Sequence, residues 1–313
     1  VSFRDYNPDK KFDRIFIGNA MHYLFRECGG WEWIAKLATI STGAVLIEAP
    51  TGMDCKDMKN VFSKNLEQKF NRDLFLYEMN NYFDLLSIVK SPSPDRWIML
   101  FERKFEKRVD LKDLPVMELI NQNKETKVYR SEDKIIKLLV NPVPSDEIRI
   151  KIAGHSPVSN GIDVSIYDGE KFVGWIEKYE RLKILKYKNK QGEIFEKICV
   201  HNIFLSKLGY MDHDTATINF FENGILFDKG GVFHIKTIPL LYFNDIITGH
   251  YFIQLLNSYD IISLDILKNL CTAFKTRDPV LIELEYKIIM ASLREKNQGV
   301  LAKLSAKLKG IRK

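Results

Sequence analysis

Asn223-Gly224 is the feature of this sequence that most narrows what it can fold into. A two-residue type I′ turn needs positive φ at both central positions, and Asn-Gly between apolar flanks is the strongest short-range hairpin signal a chain can carry. With that turn, Glu222 faces Ile225, Phe221 faces Leu226, Phe220 faces Phe227, and Asn219 faces Asp228. Directly opposed side chains leave the same face of a hairpin with Cβ atoms roughly 5 Å apart. That spacing suits two oxygen ligands on one cation. A solvated polar loop, the competing reading of "YMDHDTATINFFENGILFDKGG" from Tyr210 to Gly231, has no need of the coincidence.

The chain around this segment has 313 residues, 45% of them hydrophobic, enough for two domains with cores of their own. No apolar run reaches bilayer length and no signal peptide opens the chain, so a cytoplasmic location is expected. Cys28, Cys55, Cys199 and Cys271 are widely spaced in apolar surroundings, which points to reduced packing residues rather than a disulfide framework or a zinc site. Net charge is +6, but the lysines are dispersed and no basic face interleaved with aromatics stands out, so nucleic acid is not the expected partner.

Buried-strand patterns at Arg14 to Ile17 and Gly43 to Pro50 flank the helical pattern "WEWIAKLATI". Strand, helix, strand with continuous apolar runs is a parallel-sheet unit. "YFDLLSIV" and "RWIMLFERK" flank the turn-forming "KSPSPD" and read as an antiparallel hairpin finishing that sheet. The order resembles the second half of a class I, Rossmann-like S-adenosylmethionine-dependent methyltransferase over residues 1–110. That resemblance implies that "GNAMHYL" is a cofactor-facing loop with Asn19 and His22 near the cofactor or acceptor, and that Asp5 makes an adenine-side contact. Without the comparison, a lone His22 reads more readily as a helix-start or core histidine than as a catalytic base. The Gly-rich first turn and the acidic ribose ligand would lie upstream of residue 1.

The polar "ELINQNKETK" reads as a linker, with a boundary between Leu111 and Gln122, followed by the hairpin "KVYRSEDKIIKLLV". Lys137 sits inside its second arm, either as an edge-strand guard against aggregation or as a phosphate anchor. An anchor needs a carboxylate partner, which "SDEIRIKIAG" offers in Glu147 on the first turn of a helix capped by Ser145. An ion pair between Lys137 and Glu147 is therefore expected. The strand "GEKFVGWIEKYE" and the amphipathic helix "EIFEKICVHNIFLSKLGY" lead into the opening segment.

There, Asp214, Asn219 five residues on, and Asp228 before a closing Gly230 follow the order of a protein-kinase-like active site. Lys229 stands where such sites carry Phe, the interval between Asn219 and Asp228 is short, and no G-x-G-x-x-G precedes Val128. A methyltransferase-like part followed at once by an α+β, bilobal kinase-like domain at 120–295 resembles the bifunctional methyltransferase-kinases that terminate bacterial O-antigen polymannose chains. The resemblance implies ATP-dependent phosphorylation of a terminal sugar hydroxyl coupled to methylation. It puts Lys137 on the α- and β-phosphates with Glu147 holding it, Glu177 to Tyr179 around adenine, Asp214 as base, and Asn219 with Asp228 on Mg²⁺. It also implies a glycan polymerase as partner. The basic amphipathic tail at 296–313 reads as a frayed helix, the start of a coiled coil, or a contact with the inner membrane surface. The alternatives to the glycan kinase are a pseudokinase scaffold and a kinase acting on a protein or small alcohol. One expected outcome concerns the first half: these 313 residues alone should bind S-adenosylmethionine weakly or not at all, because the helix N-terminus that holds such a cofactor is not among them. Calorimetric titration checks this, and micromolar affinity contradicts it.

Overall fold

The computed structural model describes residues 2–28, 30–50, 72–93, 96–104, 107–178, 191–214, 225–226, 229–238 and 264–311, without the side chains of 50, 178, 191–193, 264 and 296–311. It is a mixed α/β structure with several sheets. By its contacts the chain divides into a first unit, Val1–His155 with Ile162–Tyr179, and a second, Ser156–Gly161 with Glu180–Lys313.

The first unit opens with β1 (Phe12–Ile17), α1 (Met21–Cys28), α2 (Trp33–Ile40) and β2 (Ser41–Pro50), and β1 runs parallel to β2. After α3 (Arg72–Asn80), β3 (Phe83–Lys90) and β4 (Arg96–Arg103) form the antiparallel hairpin read from the sequence, giving the order β1-β2-β4-β3. Val45 and Ile47 of β2 are sealed, and Phe75 of α3 packs edge-on against Phe101 of β4. The stretch read as a cofactor-facing loop is mostly helix: only Gly18, Asn19 and Ala20 lie outside α1, with Asn19 in the left-handed region at φ 48°.

The second sheet has the order β5-β9-β10-β8-β7-β6, from β5 (Arg108–Asp110), β6 (Glu118–Gln122), β7 (Thr126–Ser131), β8 (Lys134–Leu139), β9 (Val164–Asp168) and β10 (Lys171–Lys178). The polar stretch read as a linker is therefore corrected: its first half is edge strand β6, antiparallel to β7. All five β6 residues are exposed, so the backbone ladder rather than apolar burial holds the strand, and alternation could not reveal it. Asn123 closes the turn, its Oδ1 accepting from the Glu125 (2.8 Å) and Thr126 (2.7 Å) amides. Helix α4 (Pro144–Gly154) begins one residue before the expected cap. Val143 holds the N-cap position, Pro144 supplies a preset φ, and the Asp146 carboxylate accepts from the Val143 amide (2.8 Å), leaving Ser145 inside the first turn.

In the second unit, α5 (Gln191–Lys207) leads into β11 (Tyr210–Asp212), which pairs antiparallel with β12 (Val232–His234). Helices α6 (Leu264–Thr276) and α7 (Pro279–Ile311) complete a core that includes Phe195, Ile198, Met211, Leu226, Tyr286 and Ile289. Gly209, at φ 83°, turns the chain out of α5, a conformation open to glycine at little cost. The segment read as a tail from residue 296 continues the backbone of α7 to residue 311. Among the described residues no helix is long and apolar enough to cross a membrane. Cys28 and Cys199 are buried free thiols and Cys271 is a half-buried one; Cys55 lies outside the described residues.

All eight residues of α2 are buried, including Lys36. Its Nζ donates to the carbonyls of Phe3 (2.8 Å) and Arg4 (3.0 Å), tying down the N-terminal segment. Burial, opposed by the charges of Cys28, Glu27 and Asp5, brings this amine down to about 7. The unfolded chain holds the proton up to about 10.5, so the folded state is penalised below 7 and relieved as pH rises through that interval. Relative to Lys36→Met, the parent should gain roughly 3 kcal/mol of unfolding free energy between pH 7 and 10.5. Urea denaturation of both proteins at pH 7 and 10 measures the difference, and parallel pH dependences contradict it.

Candidate functional site

The second unit builds a polar cluster on the pair β11–β12. Helix α5 is mostly apolar, yet His201, Asn202 and Ser206 are all buried in it. Ser206 Oγ donates to the Asn202 carbonyl (2.7 Å), and Asn202 Oδ1 accepts from the Asp212 amide (3.3 Å). The Asp212 carboxylate ends β11 inside the protein. Its Oδ2 lies 3.3 Å from His201 Nε2, poorly aligned for a hydrogen bond, and its Oδ1 accepts from the Asp214 amide (2.9 Å). Burial pushes the Asp212 carboxyl up, but the His201 contact, the Asp214 amide and the nearby His213 outweigh it and hold it below the ordinary carboxylate range.

Asp214, two residues later, is exposed. A buried anion thus carries an exposed one on a short, tethered stretch of backbone. The opposite strand closes the arrangement: His213 donates its amide to the Gly231 carbonyl (3.0 Å), and a Cβ on Gly231 would stand 2.3 Å from Asp212 Oδ1 and 2.9 Å from Asp214 Cβ. Only glycine fits there without displacing the carboxylates. Residues 156–160 run alongside the next segment. Leu226 donates its amide to the Val158 carbonyl (2.7 Å), and the fully buried Lys229 donates from Nζ to Asn160 Oδ1 (3.0 Å). Asn219, Asp228, the Asn223-Gly224 turn and Tyr179 lie outside the described residues.

In the first unit, β8 and β10 set Lys137 opposite Trp175. Lys137 Nζ lies 3.4 Å from Glu177 Oε1 and 5.6 Å from the centre of the Trp175 ring, while Trp175 Nε1 donates to the same carboxylate. The expected ion pair between Lys137 and Glu147 does not form. Glu147 is taken instead by Lys11, by Lys151 one helical turn on (2.6 Å) and by the Tyr167 hydroxyl. The i,i+4 neighbour and the N-terminal lysine reach Glu147, whereas the lysine in the strand finds its carboxylate one pleat away on the next strand.

The three residues read from the methyltransferase resemblance have separate surroundings. His22 is buried in α1 with its ring centre 4.2 Å from that of Tyr23, Asn19 is in the turn before that helix, and Asp5 is near enough to Lys36 to raise its pKa. A cavity of about 570 Å³ borders β1, lined by aromatic and aliphatic groups including Phe3, Tyr6, Phe12 and Phe16. Asp5, Asn19 and His22 are not among its lining residues.

No family model and no curated protein matches the chain. Among solved structures, the chain aligns with the bifunctional kinase-methyltransferase WbdD. A medium-resolution structure shares 14% identity at a TM-score of 0.36, covering 92% of this chain and 70% of that one. A complex of WbdD with the kinase inhibitor LY294002 shares 12% at 0.35, covering 92% and 69%. Its monomeric form shares 12% at 0.31, covering 88% and 71%.

Sequence reasoning missed Asp212, His201, Asn202 and the bond between Lys229 and Asn160. The available signal was the His-Asn pair inside the apolar run of α5, since buried polar side chains need partners. In the first unit, burial pushes Glu147 up but Lys151 and Lys11 outweigh it, bringing the carboxyl down to about 2. That stabilisation is complete above about 4.5 and is lost as pH falls through about 2. Glu147→Gln should cost on the order of 2 kcal/mol at pH 7, and the gap from the parent should shrink between pH 4.5 and 2. Thermal unfolding at pH 7, 4 and 3 measures it; a gap independent of pH contradicts the assignment.

Proposed function

We propose that the chain is a transferase that moves the terminal phosphoryl group of ATP to a hydroxyl of the end sugar of a surface glycan, and that its first sheet is the C-terminal part of a methyltransferase-like domain attached to that kinase. The observation that carries this reading is the exposed Asp214 beside the buried, hydrogen-bonded Asp212. A general base must be held still and remain open to its substrate, and a carboxylate whose own backbone is tied to a buried anion meets both needs.

In this reading Asp214 accepts the proton of the attacking hydroxyl, Asn219 and Asp228 hold Mg²⁺, and Lys137 meets the nucleotide phosphates. Glu177, 3.4 Å from Lys137 Nζ, fits as the group that orients it. Mg²⁺ supplies charge neutralisation on the transferring phosphoryl group when bound. Among the described residues, the lining of the cavity beside β1 includes no carboxylate to accept from ribose hydroxyls, so the coupled methylation would need S-adenosylmethionine contacts supplied by other residues. A polymerase partner, or contact of the last turns of α7 with a membrane surface, belongs to the same proposal. The pseudokinase alternative draws on Lys229, yet that ammonium donates to Asn160 within the fold, which favours an accommodated core residue over a blocked site.

Two substitutions test the assignment. Asp214→Ala should retain metal-dependent ATP binding and lose about 100-fold or more of turnover. Asp228→Ala should lose that binding itself. Calorimetry with MgATP and an assay for phosphate transfer to mannose-terminated oligosaccharides separate the two. Unchanged binding and turnover in both variants would return the segment to a solvated loop, and MgATP binding by the parent with no turnover on any acceptor would favour the scaffold.

A further inference from the structure

His201 is fully buried, and each of its ring nitrogens faces a polar side chain. Nδ1 lies 2.8 Å from Ser156 Oγ and Nε2 lies 3.3 Å from Asp212 Oδ2. Ser, His and Asp are the residue types of a hydrolytic triad, but Ser156 is 4% exposed, Asp212 2% and His201 0%, so no acyl group can reach the hydroxyl. The cluster performs another task. Ser156 opens the segment 156–160, whose later residues hold Leu226 and Lys229, and Asp212 holds the backbone of Asp214. The imidazole is therefore a strut between the segment that braces Leu226 and Lys229 and the strand end that carries the exposed carboxylate.

We propose that His201 is a positioning residue: through Asp212 it fixes the backbone at Asp214, and through Ser156 it locks that backbone to the segment that holds Leu226 and Lys229. The two oxygens of Asp212 divide the work. Oδ2 meets the imidazole and Oδ1 meets the amide, so removing the first contact frees the carboxylate to rotate away from the second. Gly231, which brings no side chain, lies beside Oδ1. The catalytic part of this inference rests on the phosphoryl-transfer reading; the structural tether does not.

The experiment uses the full chain with His201→Leu, which keeps volume and removes both polar contacts, and His201→Gln, whose amide can donate to Asp212 and accept from Ser156. Hydrogen exchange at the Asp214 and His213 amides is read beside that of α5 amides such as Leu205, together with turnover, KM for ATP and thermal stability. In His201→Leu the Asp214 amide should exchange about 10-fold faster or more while Leu205 keeps its protection. Turnover should fall about 10- to 100-fold with KM for ATP within about 3-fold of the parent. His201→Gln should restore both readouts to within about 3-fold. Unchanged exchange at Asp214 in the Leu variant overturns the proposal, as does a loss shared by all of α5 and not recovered by Gln, which marks a packing role alone. If the Leu variant does not fold, Ser156→Ala removes the far contact of the imidazole; exchange at Asp214 should rise several-fold, and parental exchange overturns the proposal. A parent chain without turnover defeats the phosphoryl-transfer reading, while the exchange data still decide whether His201 holds Asp214.

Discussion

The buried carboxylate of Asp212 is the interaction on which the second unit's polar architecture depends. An ionised group in an apolar interior costs several kcal/mol unless its oxygens are occupied, and here each has a partner: the imidazole of His201 on one and the amide of Asp214 on the other. Asn202 holds the same residue's amide, so backbone and side chain are fixed from the same helix. The apolar core made by α5, α6 and α7 surrounds this cluster and excludes the water that would otherwise compete for it. An isolated aspartate at the end of a three-residue strand would be an ordinary solvated group; enclosed this way, it becomes a mount for its neighbour.

The first unit solves a similar problem differently. Glu147 and Glu177 each meet a lysine, but with different surroundings. Glu147 is shared among two ammonium groups and a phenol, which makes it a structural tie between the N-terminal segment and the helix that bears it. Glu177 is nearly sealed and meets Lys137 over the face of Trp175. In the second arrangement both partners sit in paired strands rather than on a helix.

Local periodicity and turn chemistry were the most readable parts of the sequence. The parallel pair β1–β2, the hairpin β3–β4, the hairpin β7–β8 and helix α5 are all visible as apolar patterns bounded by turn residues. Edge strand β6 was not, because its two apolar residues, Leu119 and Ile120, are adjacent rather than alternating and all five residues are exposed, so the strand is held by its ladder to β7. The partner of Lys137 was misassigned for a related reason. Sequence spacing offered a carboxylate on the following helix, while strand register, unknown until β10 is laid against β8, brings Glu177 within reach. Asp214 was legible as a candidate from its spacing to Asn219, but the residues that hold it were not, since their contacts link α5, residue 156 and β11 across long stretches of chain.

Gly231 has a consequence for how this protein can vary. At most surface turns a glycine can drift to alanine or serine and back, so that neutral exchange slowly samples neighbouring sequences. Here the missing carbon is the clearance for two carboxylate-bearing residues at once, with 2.3 Å to one and 2.9 Å to the other. Even a methyl group would press on both, and larger groups would press harder, so hydrophobicity and charge hardly matter to the outcome. The position therefore has no mild alleles: a substitution profile there should look like a step rather than a slope, with one residue on the upper side.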